Sequence, residues 1–509
     1  MKRSLLALLC LCLFLTGCSE KDEAYVPTGD GLFREEQIVE TTAPEEDVRE
    51  QELVLVYYPQ NTLNPYISTD FTNDTISSLI YQGLFTVDSE YQVHPILCKR
   101  YTVTEDMKTY VFYMENATFS DGTLLTPEDV LASFQQAMVK PVYRGRFRHV
   151  DSVQLREDGG IIFYLNTPYE NLPILLDIPI VKAAEVESDR PLGTGPYVLE
   201  ETGRGTRLRR RNDWWCEADM VVTASSITVL EAESPTQIRD AFQFENVGLV
   251  CANPGSDTYV DYRCDYELWD CENGVFLYIA CNMESDLFSK PAVRAALTHA
   301  IDRDAIVQKY YRNFAHSATL PASPLSPYYN QNLASKYGYD PEKFVKVLSD
   351  NYLSGATVKI MVNDADTLRL RIAREIGDML EACGLVVEML ESTGNDYYYY
   401  LSKLEFDIYV GQTRLSPNMD LSSFFSTNGA LRYGGIPDET IYALCKEALA
   451  NKGNYLNLYQ MLAEDGRLCP VLFQTYSVHA TRGLLTGLNP SRGHVFYYNL
   501  EKTMDQVRS

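Results

Sequence analysis

Two short apolar runs, residues 358–362 and 385–389, bracket a stretch with helical spacing from Leu368 to Cys383 that Gly384 closes. The pattern is a β-α-β unit, and strand-like and helix-like segments alternate in the same way along most of the chain. Alternation of that kind places the protein in the α/β or mixed α/β class. Leu53-Val54-Leu55-Val56-Tyr57 reads as a buried strand ended by Pro59 and the turn-forming Asn64-Pro65. A helix is expected over 75–84, with Ile76, Leu79, Ile80 and Leu84 on one face, followed by strands at 101–103 and 110–114. Thr126-Pro127-Glu128-Asp129 is a strong helix start: a Thr cap, Pro in the first turn and an acid three residues on. Val130, Leu131, Phe134 and Met138 then form a core face. Further buried strands are expected at 161–165, 276–280 and 406–410, and a helix face at 293–301 resumes at 306–310.

The chain has 509 residues, which at roughly 100–200 residues per domain predicts two or three domains. Lys plus Arg number 44 against 70 Asp plus Glu, a net charge of −26. That balance argues against a nucleic-acid surface, which needs a basic stripe to displace counterions. Beyond the first 17 residues no apolar run approaches the ~20 needed to cross a bilayer.

Lys2 and Arg3 precede an apolar run over 5–15 and then Thr16-Gly17-Cys18, the layout of a secretory signal over residues 1–17. Leu15-Thr16-Gly17-Cys18 also resembles the bacterial lipobox, in which the Cys becomes the lipidated first residue; the alternative is a plain cleaved signal that contains a Cys. Diacylation at Cys18 supplies a two-chain anchor. Residues 18–51 read as an acidic tether, since 19–50 hold 11 acidic residues against three basic ones with no sustained apolar period. Nine cysteines follow Cys18. Cys264 and Cys271 are close enough in sequence to pair, without the connectivity being deducible, and most of the nine are expected as small buried hydrophobes.

Enzymatic signatures are missing. There is no GxSxG, no HExxH and no CxxC, and the six His residues (94, 149, 299, 316, 479 and 494) show no ligand spacing. Gly193-Thr194-Gly195-Pro196 lacks the third glycine of a dinucleotide loop, and Pro196 removes an amide that such a loop uses. No catalytic residue, metal or cofactor is expected.

Several motifs, in order, resemble the extracellular solute-binding proteins of family 5, the oligopeptide- and dipeptide-binding lipoproteins of ABC importers. They are Thr62-Leu63-Asn64-Pro65 with Tyr81-Gln82-Gly83-Leu84-Phe85, Glu105–Phe112 with Phe119-Ser120-Asp121-Gly122-Thr123 and Glu128-Asp129-Val130, Gly193–Tyr197 with Arg211-Asn212-Asp213-Trp214-Trp215, Asn282, and Val293–Leu297 through Ala300-Ile301-Asp302-Arg303. The resemblance covers about residues 52 to 500. It implies a two-lobed periplasmic-binding-protein-like clamp with mixed sheets. Lobe I is expected from 52–75, 190–274 and 466–509, with a subdomain at 76–189, and lobe II from 275–465. Two crossings between lobes permit hinge closure over a ligand. The motif residues are expected to be scaffold, with Asp121-Gly122 a turn and Asp302-Arg303 an ion-paired helix segment.

The same resemblance supplies candidate ligand contacts: Gln60 and Asn61 beyond the first strand, Tyr143 in the subdomain, Tyr278 on the strand entering lobe II, and Tyr397. For each Tyr the competing reading is wall or core. The stretch from Gly411 to Asp420 aligns with the family's specificity loop, where peptide binders carry a Trp wall and an Asp for the peptide α-amine. Here Gln412 replaces the Trp and Leu415 the Asp, while Arg414 and Asp420 supply charges. Arg414 either forks onto a ligand carboxylate or pairs with Asp420. The implied function is a monomeric, lipid-anchored component of an ABC importer that captures a peptide or small solute and delivers it to permease and ATPase subunits at the outer face of the cell membrane. A hydrolase, a pheromone receptor and a sugar binder are the rival readings. Substituting Cys18→Ala should abolish acylation. Labelled fatty acid still incorporated by that variant would rule out the lipobox.

Overall fold

Two long strands, Tyr266–Cys281 and Leu468–Thr481, run antiparallel through the middle of the molecule and carry its largest sheet. The computed structural model describes residues 53–496 except 204, 218–223, 245–246, 257–258, 260, 486–487, 489 and 493–494. The leader, Cys18 and the acidic stretch expected as a tether lie outside the described residues, as does 497–509. The central sheet has seven strands in the order Leu249–Ala252, Leu468–Thr481, Tyr266–Cys281, Ile408–Arg414, Thr357–Asn363 and Val386–Ser392, with Ala315–Ser317 paired to Leu468–Thr481. The half beyond Ile408–Arg414 is parallel; the rest is antiparallel.

The pairing of the two long strands shifts register twice near its middle, between Glu272 and Phe276 and again between Leu277 and Tyr278. At the first shift Gly274 takes a left-handed φ of 73°. On one side, Phe276–Ala280 pair with Phe473–Leu468; on the other, Glu272–Tyr266 pair with Thr475–Thr481. The bulge bends both strands at one level and increases the local twist. The sequence reading began this strand at Phe276 because Glu267, Asp270, Glu272 and Asn273 interrupt its apolar run.

The β-α-β unit forms with parallel strands Thr357–Asn363 and Val386–Ser392 in register Val358↔Val387. Between them, helix Thr367–Ala382 is capped by Asp366, whose side chain accepts from the Arg369 amide, and it buries Ile372, Ala373, Ile376 and Leu380. A second sheet joins Val54–Tyr57, Ser226–Glu231, Gly205–Arg210 and Tyr197–Thr202, and a third, antiparallel, joins Cys98–Val103, Thr109–Met114, Ile161–Leu165 and Val150–Leu155. Helix Pro127–Val139 carries the full capping box at Thr126 and Asp129. The first helix occupies Phe71–Ile80, not 75–84. Asp70 accepts from the Thr72 and Asn73 amides and so starts it early, while Gln82–Gly83 leave the helix to pair with Pro179–Ile180.

The motif residues tie distant segments together. Asn64 donates to the Val186 and Ser188 carbonyls, buried Arg211 to those of Thr118, Phe119 and Thr194, and Asn282 to those of Leu404 and Phe406. The Asp302-Arg303 pair departs from expectation. Asp302 caps helix Arg303–Tyr311, while the buried Arg303 guanidinium donates to the carbonyls of Thr298, Ile301, Ala318 and Pro470, so it is held by carbonyls and not by an acid. All nine described cysteines are free thiols, six of them buried, and Cys264 and Cys271 do not pair.

A Cβ at Gly274 has to share space with the Arg492 guanidinium as well as adopt the left-handed φ. Gly274→Ala should therefore lower stability by about 1–3 kcal/mol, seen as a lower urea midpoint. Adding Arg492→Ala should restore part of the loss by removing the clash but not the backbone strain. Full recovery, or no loss in the single variant, would show that the bulge tolerates a side chain.

Candidate functional site

The bulge opens onto a cavity of about 860 Å³, inside the ~300–1,000 Å³ range of small-molecule sites. Its walls come from helix Phe71–Ile80 and the residues before it, from 138–148, from the end of strand Ile408–Arg414 and the chain after it, and from Asn273, Tyr476 and Arg492. Phe71 and Tyr476 stack with ring centroids 4.1 Å apart and 18° between planes, forming an aromatic panel. The same pair borders a second cavity of about 440 Å³. Tyr143 meets Tyr66 edge-on at 6.3 Å and lies under the Arg146 guanidinium at 5.1 Å.

The cavity is rich in charge. Arg144, Arg146, Arg148, Arg414 and Arg492 line it, with Asp74, Asp177 and Asp420. Arg146 is paired with Asp177. Asp420 is held by His149 at 3.3 Å and by the Ser422 amide at 2.8 Å; burial pushes its carboxyl up, but these partners outweigh burial and leave it below the usual range. Arg414 therefore has no pair in Asp420. Its side chain is open to the cavity and makes no hydrogen bond or ion pair among the described residues. The surrounding protein and the guanidinium groups of Arg492 and Arg146 lower its pKa, against the opposing influence of the Tyr476 and Tyr143 hydroxyls. Burial raises the Asp74 carboxyl to about 6, with a bond from Ser68 Oγ at 3.0 Å and the Arg414 charge working the other way.

A seam of bonds closes this space. Arg148 donates to Ser423 Oγ at 2.7 Å, the Glu170 amide to the Leu449 carbonyl at 2.9 Å, and the Lys452 amide to the Glu170 carboxylate at 2.7 Å. Segment 148–170 is thereby joined to segment 420–452.

Of the sequence candidates, Tyr143, Arg414 and Asp420 line the main cavity, and Asn61 lines the smaller one. Gln60 is exposed and lines neither. Tyr278, only 2% exposed, packs among Phe276, Tyr409 and Phe424, and Tyr397 is buried on helix Gly394–Lys403. Gln412 bonds to Asp366 at 3.1 Å outside both cavities. Residues 411–414, read as loop from sequence, continue the strand that ends at Arg414 and pair with Tyr278–Val275. Sequence reasoning missed Arg146, Arg148, Arg492, Asp74 and Tyr476. The run Arg144-Gly145-Arg146-Phe147-Arg148, dense in arginine within an acidic chain, was the available signal for two of them. Among the described residues no group of three His, Cys, Asp or Glu side chains is placed to hold a metal ion.

Residues 92–432 match the family described as bacterial extracellular solute-binding proteins, family 5 Middle. The chain belongs to this family. Among curated proteins it is similar to the glutathione-binding protein GsiB of Escherichia coli O1:K1 / APEC, 25% identical over 317 residues that make up 57% of this chain and 59% of that one. The chain thus spans about three fifths of the length of the curated relatives it matches. Among solved structures, the ABC transporter substrate-binding protein CtaP of Listeria monocytogenes aligns with a TM-score of 0.71 at 18% identity, covering 89% of this chain and 99% of that one. The oligopeptide-binding protein AppA of Bacillus subtilis, solved with a nonapeptide, aligns with a TM-score of 0.61 at 21% identity, covering 90% and 99%. These structures share the fold, a two-lobed clamp of mixed α/β architecture.

The raised Asp74 carboxyl makes a pH prediction. The folded protein holds this proton more tightly than the unfolded chain, whose Asp titrates near ~3.9. Its stabilising contribution is complete below about pH 4 and is lost as pH rises through about 6. Asp74→Asn should flatten the ligand-free stability profile over that window and leave the variant more stable than wild type at pH 7. Superimposable thermal profiles would show that Asp74 does not titrate there.

Proposed function

We propose that this protein is the lipid-anchored receptor of an ABC importer that encloses an oligopeptide, or a related small solute, by lobe closure and presents it to its permease. The observation that carries the reading is the cavity enclosed between walls from far-apart parts of the chain, with its seam of bonds between 148–170 and 420–452. We assign the two crossings to the level of the bulge, at Glu272–Phe276 on one long strand and Phe473–Thr475 on the other, where both change register together. Lobe I with its subdomain would lie on one side of that level and lobe II on the other. In this reading the described conformation is closed, and opening breaks the seam while bending the strands at Gly274. A ligand touching both walls shifts the balance toward closure by its differential contacts. Capture needs no covalent step, and a membrane anchor through Cys18 would keep the clamp near its permease.

Ligand that binds only the folded state stabilises it by about 2.7 kcal/mol at one hundred times its dissociation constant. A thermal-shift screen should find short peptides among the hits and no nucleotides. Stabilisation by Ni²⁺ or a sugar alone, with every peptide silent, would overturn the peptide assignment and leave the fold and family intact.

A further inference from the structure

The arginines of the cavity are not balanced by its aspartates. Asp177 is taken by Arg146, and Asp420 by His149 and the Ser422 amide. Asp74, the remaining acid, has its carboxyl raised to about 6 by burial and offsets at most one of the arginines still unpaired with an acid among the described residues, Arg144, Arg148, Arg414 and Arg492. Arg148 bonds to the neutral Ser423 hydroxyl. Among the described residues Arg414 has no hydrogen-bond or ion-pair partner, and Arg492 is 9% exposed, with one nitrogen on the Leu415 carbonyl and its Nη1 without a hydrogen-bond partner. A nine-tenths buried guanidinium with an unmet donor is costly, and Arg492 contributes to the cavity wall. The Arg492 charge also opposes that of Arg414, which is exposed on the same cavity wall. All this occurs in a protein of net charge −26, so the cavity is locally opposite in sign to the whole.

We propose that Arg414 and Arg492 form an oxyanion-binding cradle, and that the physiological ligand is an acidic solute carrying at least two carboxylates, such as a short peptide with an acidic side chain. This rests on the cleft being the ligand site and deepens that reading by naming the charge of the ligand. Arg492 is fixed by the Leu415 carbonyl and by packing at the bulge, where Gly274 leaves room for it. Arg414 follows from the next strand at the register position opposite Val275. One guanidinium is rigid and the other free to adjust, which suits two carboxylates on a flexible backbone. Each guanidinium can form two parallel bonds to a carboxylate, and the displaced repulsion adds to the gain.

The test is calorimetric titration of the full protein with matched di- to pentapeptides carrying Glu or Gln at the same positions, together with citrate and inorganic phosphate. Glu peptides should bind about tenfold or more tightly than their Gln partners, and Arg414→Gln should bring the ratio close to one. Because Arg414 has no hydrogen-bond or ion-pair partner among the described residues, that variant should keep or raise the ligand-free melting temperature while losing the preference, which a merely structural residue would not do. Arg492→Gln should act likewise, and Arg414→Gln stands in for it if that buried variant fails to fold. Peptides that bind without favouring Glu overturn the cradle and leave the peptide reading standing. Citrate binding with every peptide silent keeps the cradle and removes the peptide reading. Phosphate binding alone keeps an oxyanion site and overturns the dicarboxylate ligand, and no binding by any acidic peptide, citrate or phosphate overturns the cradle.

Discussion

Everything else in this fold hangs on the antiparallel pairing of Tyr266–Cys281 with Leu468–Thr481. These strands are far apart in sequence, and their hydrogen bonds bring the end of the described chain back through its middle. Phe276 and Phe473 stack across the pairing at 5.0 Å, so apolar contact reinforces the ladder at the edge of the bulge. One residue with a left-handed φ, Gly274, sets where the ladder breaks. The break is also where the cavity begins, with Asn273, Arg492 and Tyr476 on its wall. Geometry and binding surface therefore share one cause.

Around that break, polar groups are buried in pairs and networks. Glu272 accepts from Tyr91 and from Ser323, both distant in sequence, and so ties the bulge to the chain near Phe85–Val87 and to the chain after Ala315–Ser317. Arg294 and Arg303 sit in the interior with donors on carbonyls and on Asp465, and Arg211 bonds to carbonyls with its Nε left over. Arg414 differs from these in making no hydrogen bond or ion pair among the described residues. The contrast separates scaffold arginines, which hold segments together, from cavity arginines, which leave bonding capacity to a ligand.

Local elements were largely legible in the sequence where a single period dominates. The strand at 161–165, the capped helix at 127 and the β-α-β unit all rest on short-range spacing. Half-polar strands were not legible. Leu468–Thr481 mixes Gln474, Thr475, Ser477 and His479 into its run, and the last three are buried by neighbouring strands that no local pattern announces. The site was legible only in part, for the same reason. Tyr143 and Arg414 line the cavity, but Tyr278 fills the core because the sheet face it occupies is covered by Phe424 and Tyr409.

Sequence alone determined the class of fold and the family, because strand and helix periods, caps and ordered motifs are properties of consecutive residues. It also determined that the chain is acidic and holds no recognisable catalytic triad or metal ligand spacing. Tertiary structure alone decided which charges meet. Asp420 belongs to His149, Asp177 to Arg146, and Arg414 to neither, because strand register and the bulge at Gly274 set those distances. Charge balance in a cavity is a sum over residues from 74 to 492, and only folding brings them within a few ångströms of one another.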